Sequence, residues 1–190
     1  MMQIEEIIKQ IQPLDEAAMQ AARERQNQLT KPPGSLGRLE ELSIQLAGIS
    51  ANPFPSVEHK SVIVMAADHG VTREGISAYP AEVTSQMVLN FLRGGAAINV
   101  LARQANARVV VVDMGVAVEV NDPTGQLIQR RVGTGTANLA EGPAMTRAQA
   151  EESIHSGIEV ALGEISKGAD ILATGDMGIG NTTSLSLIHI

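Results

Sequence analysis

The residues with the most chemistry per unit length run from 175 to 183, Gly-Asp-Met-Gly-Ile-Gly-Asn-Thr-Thr. Glycines let a backbone approach a ligand closely. If the N–H groups of Gly178 to Asn181 open a helix, they face an anion with the helix dipole behind them. Thr182 and Thr183 would add hydroxyl donors. The same glycines also suit a tight turn that binds nothing. Two nucleotide motifs can be compared directly. A P-loop closes on Gly-Lys-Ser/Thr, and Asn181 stands where the lysine belongs, so that reading fails. The dinucleotide fingerprint requires Gly-x-Gly-x-x-Gly, a spacing that Gly175, Gly178 and Gly180 match only weakly.

Asp68 and His69, followed by Gly70, form a second polar group, able to polarise or position a polar substrate. They also fit a strand end that merely meets solvent. Asp113 has the same ambiguity, as an acid that could serve a ligand or simply end its strand. Met87 stands one turn from Val83 and Phe91, a spacing typical of core. His59, His69, His155 and His189 show no metal-ligand spacing, so no metal is expected, nor any other cofactor.

Elements of known geometry must hold these groups. From residue 60 onward, short apolar runs alternate with helical patterns, as in βαβ units around a parallel sheet. The predicted strands are Val62 to Ala67, Arg108 to Asp113 and Asp170 to Thr174, with Gln126 to Val132 as an added strand broken by Gly133-Thr134-Gly135. Helices are predicted over Pro80 to Leu92, with Pro80 and Glu82 in its first turn, and over Ala96 to Gln104. A further helix begins at a capping box of Thr146 and Gln149 and ends at Gly168. Its expected buried stripe is Ala150, Ile154, Ile158, Ala161, Leu162 and Ile165. Upstream, residues 3 to 29 read as helix interrupted near Pro13, with Leu14, Met19 and Ala22 as a weak apolar stripe. The segment 31 to 37 breaks it, and a helix follows with Leu39, Leu42, Leu46 and Ile49 on one face.

The expected fold is therefore α/β: a Rossmann-like parallel sheet with flanking helices over 60–190, preceded by a helical arm or cap over 1–59. Ligands of such a sheet bind beyond the carboxyl ends of its strands, where residues 68–70, 113 and 175–183 fall.

Composition narrows the partners. Apolar residues make up 44% and charged residues 18%, a globular balance. The net charge of -7, with no Lys/Arg cluster, argues against nucleic acid. Cysteine is absent, which excludes disulfides, thiolate metal sites and a cysteine nucleophile. The segment Met1 to Gln12 carries Glu5 and Glu6 and does not read as a secretory signal. The apolar run Val62 to Ala67 is too short to span a bilayer, so no membrane partner and a cytoplasmic location are expected.

Four segments, taken together, carry a resemblance. Lys-Pro-Pro-Gly-Ser-Leu-Gly-Arg-Leu-Glu at 31–40, Ala-Asp-His-Gly-Val at 67–71, Gly-Pro-Ala-Met-Thr at 142–146 and Gly-Ile-Gly-Asn-Thr-Thr at 178–183 resemble the nicotinate-nucleotide:dimethylbenzimidazole phosphoribosyltransferases. Order and spacing agree, over residues 10 to 184. The resemblance implies transfer of ribose 5-phosphate from nicotinate mononucleotide to 5,6-dimethylbenzimidazole in cobalamin nucleotide-loop assembly, by a protein that is a homodimer at full length. It implies a base pocket at Tyr79, Gln86 and Met87, and a nucleotide and phosphate loop at Asp176, Gly178, Gly180, Asn181 and Thr182. The family's general base is a glutamate in the C-terminal part of a longer chain, so no catalytic residue is expected among these 190.

There are two departures from the family pattern. Asp176 stands where the family commonly has glutamate, one methylene longer. Residues 185–190 do not resemble the family's small-residue helix, and the expectation is of a fold incomplete at its C-terminus. The competing reading from another class is a non-catalytic module that binds an azole base or its nucleotide. An NAD-binding fragment has only the glycine loop in its favour.

Overall fold

The computed structural model describes residues 4–189 and divides into two compact units, Met1–Val57 and Glu58–Ile190. The predicted helix start at residue 3, and Ile190 in the atypical tail, lie outside the described residues.

In the first unit the predicted interrupted helix is α1 (Ile4–Ile8) and α2 (Glu16–Gln28), followed by α3 (Arg38–Ser50). Asp15 caps α2, its Oδ1 accepting the Ala18 N–H at 2.8 Å. The face of α3 turned toward α2 differs from the apolar face read from sequence. Leu39, Leu42 and Ile49 are exposed, while Ala47 and Gly48 are buried with Ala18 and Ala22. Small residues win because the helices approach closely: a Cβ on Gly48 would sit 2.7 Å from Met19 Cγ. The segment between the helices is clamped by Lys31 Nζ on Glu40 Oε1 at 2.7 Å. That bond and the Leu36 N–H hold the Glu40 carboxyl below its ordinary pKa.

The second unit is a parallel sheet of order β3-β2-β1-β4, formed by β1 (Lys60–Ala67), β2 (Ala107–Gly115), β3 (Ile128–Gln129) and β4 (Ile171–Met177). Between β1 and β2 the chain forms a 3-10 turn (Gly70–Glu74), α4 (Val83–Leu92) and α5 (Ala97–Gln104). After β3 come α6 (Arg147–Ser166) and, beyond β4, α7 (Asn181–Leu187). Alternation along the strands sorts the core into two layers. Val64, Ala66 and Val111 pack with Val88, Phe91 and Ala96 on one face. Ile63, Val110 and Val112 pack with Val160 of α6 on the other. Each such buried aliphatic side chain contributes about 1.5 to 3 kcal/mol.

Several boundaries differ from expectation. The strand predicted to end at Thr174 continues to Met177, so Gly175 and Asp176 are ladder residues paired with Val64 and Met65. The strands are close at this point, since a Cβ at 175 would make a tight contact with Val64 Cγ2 at 3.3 Å. Pro80 and Glu82 belong to a turn before α4, with the Val83 N–H on the Pro80 carbonyl at 3.2 Å. The added strand shortens to Ile128–Gln129.

The helix α6 starts as expected. Thr146 Oγ1 accepts the Gln149 N–H at 3.2 Å and Gln149 Oε1 accepts the Thr146 N–H at 2.9 Å. Gly168 follows it at φ +91°. Its buried face, however, is Ser156, Val160 and Glu164, while Ile154, Leu162 and Ile165 are exposed. Glu164 dictates this rotation. Its side chain is 2% exposed and meets Arg108, Ser61 Oγ at 3.0 Å and Lys167 Nζ at 3.0 Å, tying α6 to the starts of β1 and β2.

Burial pushes the Glu164 carboxyl up, but the hydrogen bonds from Lys167 and Ser61 and the charge of Arg108 outweigh it and hold it below 4.5. A depressed carboxylate stabilises the fold above its unfolded-state value and loses that contribution as pH falls through the folded one. Glu164→Gln is expected to destabilise the chain at pH 7 by about 2 kcal/mol. Denaturant unfolding at successive pH values should show the difference from wild type shrinking below pH 4.5. A difference independent of pH would contradict the assignment.

Candidate functional site

The chain passes from β1 to β2 on one side and returns to β4 on the other, so the direction of winding reverses between β1 and β4. In open α/β sheets the crevice at the carboxyl edge of such a switch point is the ligand site. Asp68-His69-Gly70 leaves β1 here, and Gly178-Ile179-Gly180 leaves β4.

Asp68 is buried and structural in most of its contacts. Its N–H donates to the Gly115 carbonyl and its carbonyl accepts the Thr136 N–H, each at 3.0 Å, while Oδ2 accepts the Ala117 N–H at 2.7 Å. Oδ1 is buried and has no partner among the described residues. Asp113 is fully buried, accepting the Gly115 and Val116 N–H groups at 3.0 and 2.8 Å and pairing with Arg131 Nη1 at 3.3 Å. It does not end its strand, which runs on to Gly115, but accepts the backbone of the strand's last residue and of the one that follows.

His69 lies beside the glycine loop. Its Nδ1 is 3.3 Å from Ser184 Oγ, and a Cβ on Gly178 would meet its ring at 2.7 Å while colliding with the Ala67 carbonyl oxygen. Gly180 turns with φ +86°, packed near Thr72 and Ile76. Two of the four amides expected to face an anion are already used. The Ile179 N–H donates to Thr84 Oγ1 at 3.1 Å and the Asn181 N–H to the Gly178 carbonyl at 3.0 Å. The loop is narrower than predicted because β4 runs on through Met177. Asp176 extends from the last turn of the strand and accepts Asn181 Nδ2 at 2.6 Å, and Thr182 Oγ1 lies 3.4 Å from Asn181 Oδ1. Asp176, Gly178, Gly180, Asn181 and Thr182 are thus brought together.

The segment before and within α4 places Tyr79 68% exposed, Gln86 exposed and Met87 half-buried against the core layer of Val88 and Phe91. Thr84, on the same helix, is fully buried, and sequence reasoning missed it. The available signal was a hydroxyl on the core-facing stripe Thr84, Val88 and Phe91. Among the described residues no group of three or more His, Cys, Asp or Glu is placed to hold a metal. No helix among them is long and apolar enough to cross a membrane.

Gly178→Ala is expected to destabilise the chain by about 2 kcal/mol through overpacking against β1. Gly142→Ala, where a Cβ meets nothing within 4 Å, should change stability by less than about 0.5 kcal/mol. Denaturant unfolding of both variants checks this, and equal effects would contradict the close approach.

A family model described as phosphoribosyltransferase matches residues 11–190. The nicotinate-nucleotide–dimethylbenzimidazole phosphoribosyltransferase of a Roseiflexus species is 59% identical over 185 residues, 97% of this chain and 52% of that protein. The protein of the same name from Chloroflexus aurantiacus is 57% identical over 185 residues, again 97% of this chain and 52% of its own length. The crystal structure of such a phosphoribosyltransferase from Thermus thermophilus aligns with TM-score 0.86 and 54% identity, over 90% of this chain and 51% of that one. The chain spans about half the length of the relatives it matches. With a parallel α/β sheet, a glycine loop at its switch point and a family match along nearly its whole length, the chain belongs to the phosphoribosyltransferase family.

Proposed function

We propose that this chain supplies the base-binding and nucleotide-binding segments for transfer of ribose 5-phosphate from nicotinate mononucleotide to 5,6-dimethylbenzimidazole. The products are α-ribazole 5'-phosphate and nicotinate, in assembly of the nucleotide loop of cobalamin. The observation that carries this reading is the meeting of α4 with the glycine loop at the β1/β4 switch point, in a chain of this family. Tyr79, Gln86 and Met87 are the proposed base contacts. Asp176, Gly178, Gly180, Asn181 and Thr182 are the proposed nucleotide and phosphate contacts, with Asp68 and His69 as further candidates. The full-length protein is proposed to act as a homodimer on small molecules alone.

The chemistry asks little of the leaving group. Nicotinate departs from a cationic pyridinium as a neutral ring, so breaking the C1'–N bond needs no proton. One benzimidazole nitrogen attacks C1' and the other gives up its N–H proton, for which a carboxylate base is suited. Alignment of the two flat rings on opposite sides of C1' supplies much of the remaining acceleration. Gln86, exposed on α4, would orient the base, and Met87 would offer it an apolar edge.

The alternative is a non-catalytic module for an azole base or its nucleotide, in which the same segments serve binding alone. Calorimetric titration of the chain is expected to show saturable binding of nicotinate mononucleotide and of dimethylbenzimidazole, with no heat from NAD. Nicotinate release by the full-length protein in the presence of both substrates supports the transferase reading. Binding by this chain with no release by the full-length protein favours the module, and binding of neither compound contradicts both.

A further inference from the structure

We infer that Thr84 is a positioning residue, whose hydroxyl sets the glycine loop for the nucleotide through the Ile179 amide. The inference rests on the functional reading above. Thr84 is 0% exposed in the first turn of α4, and its Oγ1 accepts the Ile179 N–H at 3.1 Å across 95 residues of sequence.

Ile179 stands between Gly178 and Gly180, so the residues on both sides have the widest backbone freedom available. Three features restrict that freedom. Gly178 abuts the Ala67 carbonyl and the His69 ring, and Gly180 abuts Thr72 and Ile76. Those two are contacts, which limit approach but fix no direction. The Thr84 bond is directional, and it fixes how the peptide between the two glycines is turned.

The acceptor is itself held rigidly. Val88 and Phe91 anchor α4 in the core layer, and Met87 packs against that layer. Thr84 therefore links the helix carrying Gln86 and Met87 to the loop carrying Gly178 and Gly180. Losing the acceptor would leave the Ile179 N–H without its partner and free the loop, while α4 stays in place on its apolar contacts. The effect should fall on the nucleotide and spare the base.

Two substitutions separate positioning from packing. Thr84→Val keeps the shape and removes the acceptor. Thr84→Ser keeps the acceptor and removes a buried methyl. Wild type and both variants of the whole chain are titrated calorimetrically with nicotinate mononucleotide and, separately, with dimethylbenzimidazole. The expected result for Thr84→Val is nucleotide affinity weakened about tenfold, with the base within about twofold. Thr84→Ser is expected to bind both within about twofold of wild type. Equal nucleotide loss in the two variants, or none in Thr84→Val, overturns the inference while leaving the functional reading intact. A wild-type chain that binds neither compound overturns the functional reading and this role with it. Native-state exchange of the wild-type Ile179 amide needs neither variant nor ligand. Strong protection is expected, and exchange as fast as that of exposed loop amides overturns the anchor even if Thr84→Val fails to fold.

Discussion

The closeness of Gly178 to the end of β1 is the constraint on which the carboxyl edge of the sheet depends. With any side chain at 178, the backbone leaving β4 would meet the Ala67 carbonyl and the His69 ring, and the loop would have to lift away. The consequence spreads outward. Ile179 would lose its reach to Thr84, Gly180 its seat near Thr72, and α7 its approach of Ser184 to His69. A single missing Cβ thus lets two loops, separated by more than a hundred residues, share one crevice.

The two edges of the sheet handle buried charge in opposite ways. At the amino edge, Glu164 is surrounded by Arg108, Lys167 and Ser61. Taking a carboxylate out of water costs several kcal/mol, and only partners this numerous offset it. At the carboxyl edge, Asp113 is met by two backbone amides and Arg131, while one oxygen of Asp68 has no partner among the described residues. The amino edge is saturated and serves stability. The carboxyl edge retains unspent hydrogen-bonding capacity beside the switch point.

Much of this architecture was legible in the sequence wherever one physical rule acted alone. β1 and β2 are built on the apolar runs 62–67 and 109–112, which pack on both faces of the sheet. The start of α6 follows from the reciprocal pairing of Thr146 and Gln149. Legibility failed where two demands competed. The apolar residues of α6 point to Ile154, Leu162 and Ile165, but a buried ion cluster rotates the helix toward Glu164. In α3, close approach favours Ala47 and Gly48 over the larger Leu39 and Ile49. In β4, Gly175 and Asp176 look like loop residues, yet they pair with Val64 and Met65 in the ladder. Thr84 stands out in sequence only as a hydroxyl on the core-facing stripe of Val88 and Phe91, and its role needs its partner, 95 residues away.

The proposed function puts the nucleotide at the β1/β4 carboxyl edge. The alternative place for an anion is the cavity of about 350 Å³ at the opposite edge, lined by Lys60, Arg108 and Lys167 among others. Amide chemical-shift mapping of the isotope-labelled chain during titration with nicotinate mononucleotide distinguishes the two most directly. Shifts are expected to concentrate in residues 176–182 and around His69 and Thr84. Shifts centred on Lys60, Arg108 and Lys167, with the glycine loop unmoved, would contradict it.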